Sequence, residues 1–269
     1  MGDDESVVAY EVASGVAWIR LNRPDRGNAW TMRMDDECAA CLTRAEADPE
    51  VRVIVLTGAG RKFCVGADVE LLGTMTDAAA AREALGGRLH PLTDPSSVVK
   101  PVVAAINGSA AGLALGLTLL ADVRVCVDDA RFTTAYSRRG LVAEHGEAYL
   151  LQRTVGRGHA SELLLSGRVF DAKHALRIGL VSATYPRADF EAAVRAYAED
   201  LAANCSPFSM AAAKRQLSLD MTGDLRGSLD RAEDYIQMSF EQPDLTEGVQ
   251  SFLERRAPRF PAVNRELWS

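Results

Sequence analysis

Six short apolar runs divide the chain, and most of the residues between and after them return to a helical spacing. The runs are 7–12, 16–21, 51–56, 102–106, 123–127 and 181–185, rich in valine, isoleucine and leucine and short enough for strands. The first two are parted only by Ala13-Ser14-Gly15 and predict an opening β-hairpin. Pro24 and Gly27 then break the chain before a predicted helix over 31–47. Further helices are predicted over 146–155, 159–166, 171–178, 188–204, 207–220, 225–240 and 245–255. Strands alternating with helices, then a helical tail, predict an α/β fold with a C-terminal helical region. The stretch 73–95 mixes alanine, glycine and two prolines without a firm apolar period, and predicts a loop with some helix.

Two glycine turns carry the first chemical signal. Phe63-Cys64-Val65-Gly66-Ala67-Asp68 and Asn107-Gly108-Ser109-Ala110-Ala111-Gly112-Leu113-Ala114 each follow an apolar strand and lead into a helix-forming stretch. The N-terminus of a helix exposes backbone N–H groups that have no partner in the helix itself. A fold that brings the amides of Ala67 and Leu113 together therefore creates a pair of fixed donors for an oxygen that becomes negative during reaction.

Leu21-Asn22-Arg23-Pro24 with Asn28-Ala29, Val55-Leu56-Thr57-Gly58, the first glycine turn, Lys100-Pro101-Val102 with Asn107-Gly108, and Ala121-Asp122 follow one another in an order that resembles the crotonase (enoyl-CoA hydratase/isomerase) superfamily. The resemblance runs from about Val7 to Phe260. It implies a spiral of repeated ββα turns, a core domain over 1–200, and a helical oligomerisation region over 201–269 in a homotrimer or homohexamer. It implies an acyl-CoA thioester as substrate, coenzyme A being part of that substrate, and no separate cofactor. Ala67 and Leu113 would hold the enolate oxygen, with Gly66 and Gly112 permitting close approach. Val65, Gly66 and Asp68 would border the adenine, Arg26 and Arg61 would meet the phosphates, and Phe252 with Arg255 would reach a neighbouring subunit's ligand.

The chain departs from the hydratase pattern at both usual glutamates, where Gly116 and Tyr136 stand instead. The segment Gly140-Leu141-Val142-Ala143-Glu144-His145-Gly146 is similar to a segment of Δ3,Δ2-enoyl-CoA isomerases, which implies Glu144 as a single proton shuttle. Tyr136, His145 and Glu147 are accessory candidates. Against this stands a plainer role for Glu144 and Glu147, as acids favouring the start of the following helix. A hydratase using Glu144 with Glu147 or Tyr136, and a catalytically silent acyl-CoA binder, are the alternatives. Trp30, Met32, Met75 and Leu92 are candidate pocket residues.

Composition narrows the partners. The 269 residues are 48% hydrophobic and carry a net charge of −7, so a globular enzyme is favoured over a nucleic-acid or anionic-membrane binder. No basic stripe interleaved with aromatics appears. The longest weakly polar run, 110–121, falls well short of the ~20 residues needed to cross a bilayer. Five scattered cysteines, an odd number, suggest a reducing cytoplasm. Cys38-x-x-Cys41 lacks a second pair and sits in a helical pattern, so no metal site is expected.

Overall fold

The computed structural model describes residues 6–74, 77, 79–80 and 98–268. Most of the 73–95 loop expectation, with Met75 and Leu92, lies outside the described residues.

The predicted hairpin forms from β1 (Val8–Ala13) and β2 (Val16–Leu21), joined where Ser14 and Gly15 both take positive φ. From β2 onward the main sheet is parallel, in the order β1-β2-β3-β4-β6-β9, with β3 (Val53–Gly58), β4 (Val102–Ile106), β6 (Val123–Val127) and β9 (Ala183–Tyr185). β3 is buried at every position, the signature of a parallel strand covered on both faces. A second sheet, β5-β7-β8, is built from β5 (Ala110–Ala111), β7 (Arg131–Thr133) and β8 (Phe170–Asp171). Strands of two or three residues leave no readable period, which is why the sequence did not reveal this sheet.

The helices are α1 (Met32–Ala47), α2 (Val69–Thr74), α3 (Leu113–Leu119), α4 (Glu147–Ser166), α5 (Ala172–Arg177), α6 (Phe190–Asn204), α7 (Pro207–Asp220), α8 (Leu225–Phe240) and α9 (Pro243–Glu254). Thr31 caps α1 by accepting from the Met34 amide at 3.2 Å. The predicted helices 146–155 and 159–166 are the two arms of α4, separated at Gly156, whose φ of 78° and ψ of 155° interrupt the helix. Val51 and Val181 are buried but stand outside the ladders, so apolarity alone had lengthened β3 and β9.

Two buried asparagines hold the loop between β3 and the first glycine turn. Asn28 donates to the carbonyls of Ala59 and Lys62 at 2.9 and 2.8 Å, and Asn107 donates to those of Gly58 and Gly60 at 2.8 and 2.9 Å. The amides thus occupy carbonyls that a buried loop would otherwise leave unpaired.

Candidate active site

The two glycine turns lie side by side. Cys64 and Ala110 form a parallel bridge, the Cys64 amide donating to Ser109 O at 3.1 Å and the Ala111 amide to Cys64 O at 3.2 Å. On the other side, Trp30 donates to Gly66 O at 2.8 Å and Asp68 donates to Trp30 O at 2.9 Å. This ladder uses the groups on either side of Ala67 and leaves its own amide without a backbone acceptor among the described residues. Leu113, the first residue of α3, is in the same condition. Gly66 has φ +95°, and a β-carbon there would lie 2.9 Å from Ala111 O; Gly112 has φ +53° and ψ −128°. Only glycine adopts these backbones readily, and only glycine allows the two turns to approach this closely.

Both turns open onto one cavity of about 600 Å³, within the range of small-molecule sites. Of the candidates named from sequence, Arg26, Val65, Gly66, Ala67, Asp68, Gly112, Leu113, Tyr136, Glu144 and His145 line it, as do the pocket candidates Trp30 and Met32. Arg61, Phe252 and Arg255 do not. Arg61 is exposed and lies 3.8 Å from Asp129, while Phe252 and Arg255 close the exposed end of α9. Thr133, Thr134, Ala135, Arg139, Leu141 and Val142 also line the cavity. Tyr136 and Arg139 share a single 3-10 turn, entered at Ala135 with φ 58°, and no periodic signal in the sequence marks such a turn.

Among the described residues two carboxylates line the cavity, and their surroundings separate them. Burial raises the Asp68 pKa, but the Glu70 amide and the Arg23 guanidinium, 2.8 Å away, outweigh it and hold Asp68 below the ordinary range. Asp68 is therefore a fixed anion. Glu144 is half-buried, and its partner is the His145 imidazole, 3.3 Å from its carboxyl. The chain reaches α4 through His145 and Gly146, with φ of 51° and 74°, two consecutive left-handed residues that turn this corner toward the cavity.

Glu147 opens α4, as the plainer reading has it, and is fully buried behind the cavity wall. Its Oε2 lies 2.7 Å from the Tyr136 hydroxyl. Burial pushes the Glu147 carboxyl up to about 8; the Tyr136 bond opposes that and the Glu144 charge adds to it. Burial, then the Glu147 charge, pushes the Tyr136 phenol far above its usual range. The Cys38 and Cys41 thiols are both raised by burial, which argues for inert thiols in α1.

The family profile described as Enoyl-CoA hydratase/isomerase matches residues 11–262. The chain belongs to this enzyme family, the crotonase superfamily. It is 38% identical to "Probable enoyl-CoA hydratase" of Rhodobacter capsulatus, over 94% of this chain and 97% of that protein. It is 32% identical to 1,2-epoxyphenylacetyl-CoA isomerase of Escherichia coli, over 94% and 97%. The crystal structure of enoyl-CoA hydratase from Bacillus anthracis superimposes with a TM-score of 0.88 at 29% identity, covering 95% of this chain and 99% of that one. The paired sheets and C-terminal helices are thus the crotonase fold expected from the motifs. Family members bear both hydratase and isomerase names, so membership alone does not choose the reaction.

Proposed function

We propose that the protein isomerises 3-enoyl-CoA thioesters to their 2-enoyl forms, with Glu144 as the single proton carrier. The observation that carries this reading is the pairing, among the described residues, of two unengaged amides, Ala67 and Leu113, with one cavity carboxylate that is not locked to an arginine. The Glu144 carboxylate takes a proton from C2, and the electron pair moves onto the thioester oxygen. The Ala67 and Leu113 amides stabilise that charge, and the loss of one such donor commonly costs ~10²–10³ in rate. As the double bond forms between C2 and C3, the protonated Glu144 returns its proton to C4. Substrate and product have the same composition and the thioester bond stays intact, so the step consumes neither water nor a cofactor.

Val65, Gly66 and Asp68 would border the adenine, with Arg26 meeting phosphate. The C-terminal helices would cover one another in a trimer or hexamer. No residue of α8 is buried, and Leu225, Leu229, Phe240, Phe252 and Leu253 are all exposed, an apolar surface that supports assembly. The five cysteines are unpaired, which supports a reducing, cytoplasmic setting.

A second reading, hydration of 2-enoyl-CoA, is favoured by the name of the R. capsulatus relative. A paired assay separates the two. Purified protein is offered trans-3-enoyl-CoA or trans-2-enoyl-CoA, and the conjugated thioester's absorbance is followed together with product mass. The proposal expects the 3-enoyl substrate to become conjugated without a mass change, and Glu144→Gln to lower that rate by ~10²–10⁴. Gain of one water by the 2-enoyl substrate, with no conjugation of the 3-enoyl one, would overturn it.

A further inference from the structure

Gly116 lies within α3, where glycine costs roughly 1 kcal/mol relative to alanine, so its presence calls for a reason. The space beside it supplies one. A β-carbon at Gly116 would stand 3.2 Å from Oε2 of Glu147, and 3.8 and 3.9 Å from that residue's Cβ and Cδ. The Glu147 side chain, arriving from the start of α4, fills the volume that a side chain on α3 would take. Its other oxygen, Oε1, is buried with no hydrogen-bond partner among the described residues. Among the described residues this carboxyl has one bond and no cation, a burial that is costly to the fold and less so when the group is neutral.

Its one bond goes to Tyr136, which lines the cavity together with Glu144. The bond has two forms. An ionised Glu147 can only accept, so the phenol turns its proton inward, while its oxygen accepts from the Glu144 amide and has no O–H left to donate elsewhere. A neutral Glu147 donates to the phenol oxygen and frees the phenol O–H to donate outward. The titratable groups facing Glu147 are Tyr136 from the 3-10 turn and Glu144 from the loop before α4; α3 presents Gly116 with no side chain. Of these two, Glu144 disfavours a second negative charge and the Tyr136 bond favours it, and burial, the largest influence, outweighs that bond.

We propose that Glu147 is a positioning residue for the reaction: neutral and seated over Gly116, it turns the Tyr136 O–H outward to donate into the cavity beside Glu144. The idea rests on the catalytic reading of Glu144 above, although not on the choice between isomerisation and hydration. Where turnover proceeds by either route, the pair acts as one unit.

The test compares Glu147→Gln, Glu147→Ala, Tyr136→Phe and the Glu147→Ala/Tyr136→Phe double variant on whichever enoyl thioester the protein turns over. Glutamine keeps a donor toward the phenol but cannot ionise. We expect kcat of the unaltered protein to decline as pH rises through about 8, and Glu147→Gln to retain kcat within a few-fold and lose that decline. Glu147→Ala and Tyr136→Phe should each lower kcat by about tenfold or more with little change in KM, and the double variant should be no worse than either, as coupled residues behave. An alkaline limb that persists in Glu147→Gln, or losses that multiply in the double variant, would overturn the proposal. A readout independent of turnover separates this outcome from failure of the isomerase reading. Infrared titration of the unaltered protein should show a carboxylic acid carbonyl band that disappears above about pH 8 and is missing in Glu147→Gln; its absence from the unaltered protein at pH 7 would also overturn the proposal.

Discussion

Replacing Gly66 with alanine places the sharpest demand on the paired-turn arrangement. The added β-carbon would lie 2.9 Å from Ala111 O, a backbone atom of the second turn, at a φ of +95°. Neither obstacle can be relieved by rotating a side chain, so the Gly66 and Gly112 turns must move apart. A residue held in so sparsely populated a backbone region costs ~1–3 kcal/mol, which at ~2–4 °C per kcal/mol lowers the melting temperature by several degrees. The catalytic effect should be proportionally larger. A donor aligned for a negative oxygen works at about 2.7–3.1 Å, and its loss costs ~10²–10³ in kcat. A displacement of a few tenths of an ångström should therefore take kcat down by at least about tenfold, toward that limit. The assay is a circular dichroism melt together with turnover of trans-3-enoyl-CoA well below the melting transition. Gly73→Ala, in α2 where the β-carbon would meet nothing within 4 Å, serves as the control and should leave kcat unchanged without lowering the melting temperature. If Gly66→Ala lowers the melting temperature but keeps the original kcat, the first turn does not hold the reacting oxygen and the oxyanion argument fails.

Two further outcomes follow from the same contacts. Gly108→Ala should destabilise the chain by more than about 3 kcal/mol, because its β-carbon would be forced into the backbone of Arg61 and Lys62, and chemical denaturation would read the loss. Glu147 carries a folded-state pKa of about 8, above its unfolded value of 4.5, so its contribution is fully present below pH 4.5 and is lost as pH rises through about 8; relative to the unaltered protein, Glu147→Gln should gain stability by up to ~1.4 kcal/mol per pH unit across that window, and denaturation midpoints that stay parallel from pH 5 to 8 would contradict the assignment.

Much of this protein was legible in its residues. Apolar runs located the central strands, because buried strand positions are mostly apolar, and β4 and β6 coincide with runs 102–106 and 123–127 even though β6 carries Arg124 at a partly buried position. Helices α7 and α8 coincide with 207–220 and 225–240, since proline at the start of one and Asp224 before the other are local stop-and-start signals. The glycine turns were legible too, because positive φ restricts the choice of residue at each one. Ala67, Leu113 and Glu144 could be named from the order of motifs, and all three line one cavity.

Tertiary structure alone decided the rest. The sheet of β5, β7 and β8 is held by pairings between distant segments, and two-residue strands have no period of their own. From the sequence, Glu147 reads as an acid favouring the start of a helix; whether its carboxyl faces solvent or turns inward depends on what α3 leaves open. The absence of a side chain at Gly116 and the phenol of Tyr136, 31 and 11 positions away, provide the space and the bond that bring it inside. Sequence specifies which groups the chain owns, whereas the dielectric and the partner that set a proton's affinity exist only once remote segments have packed together.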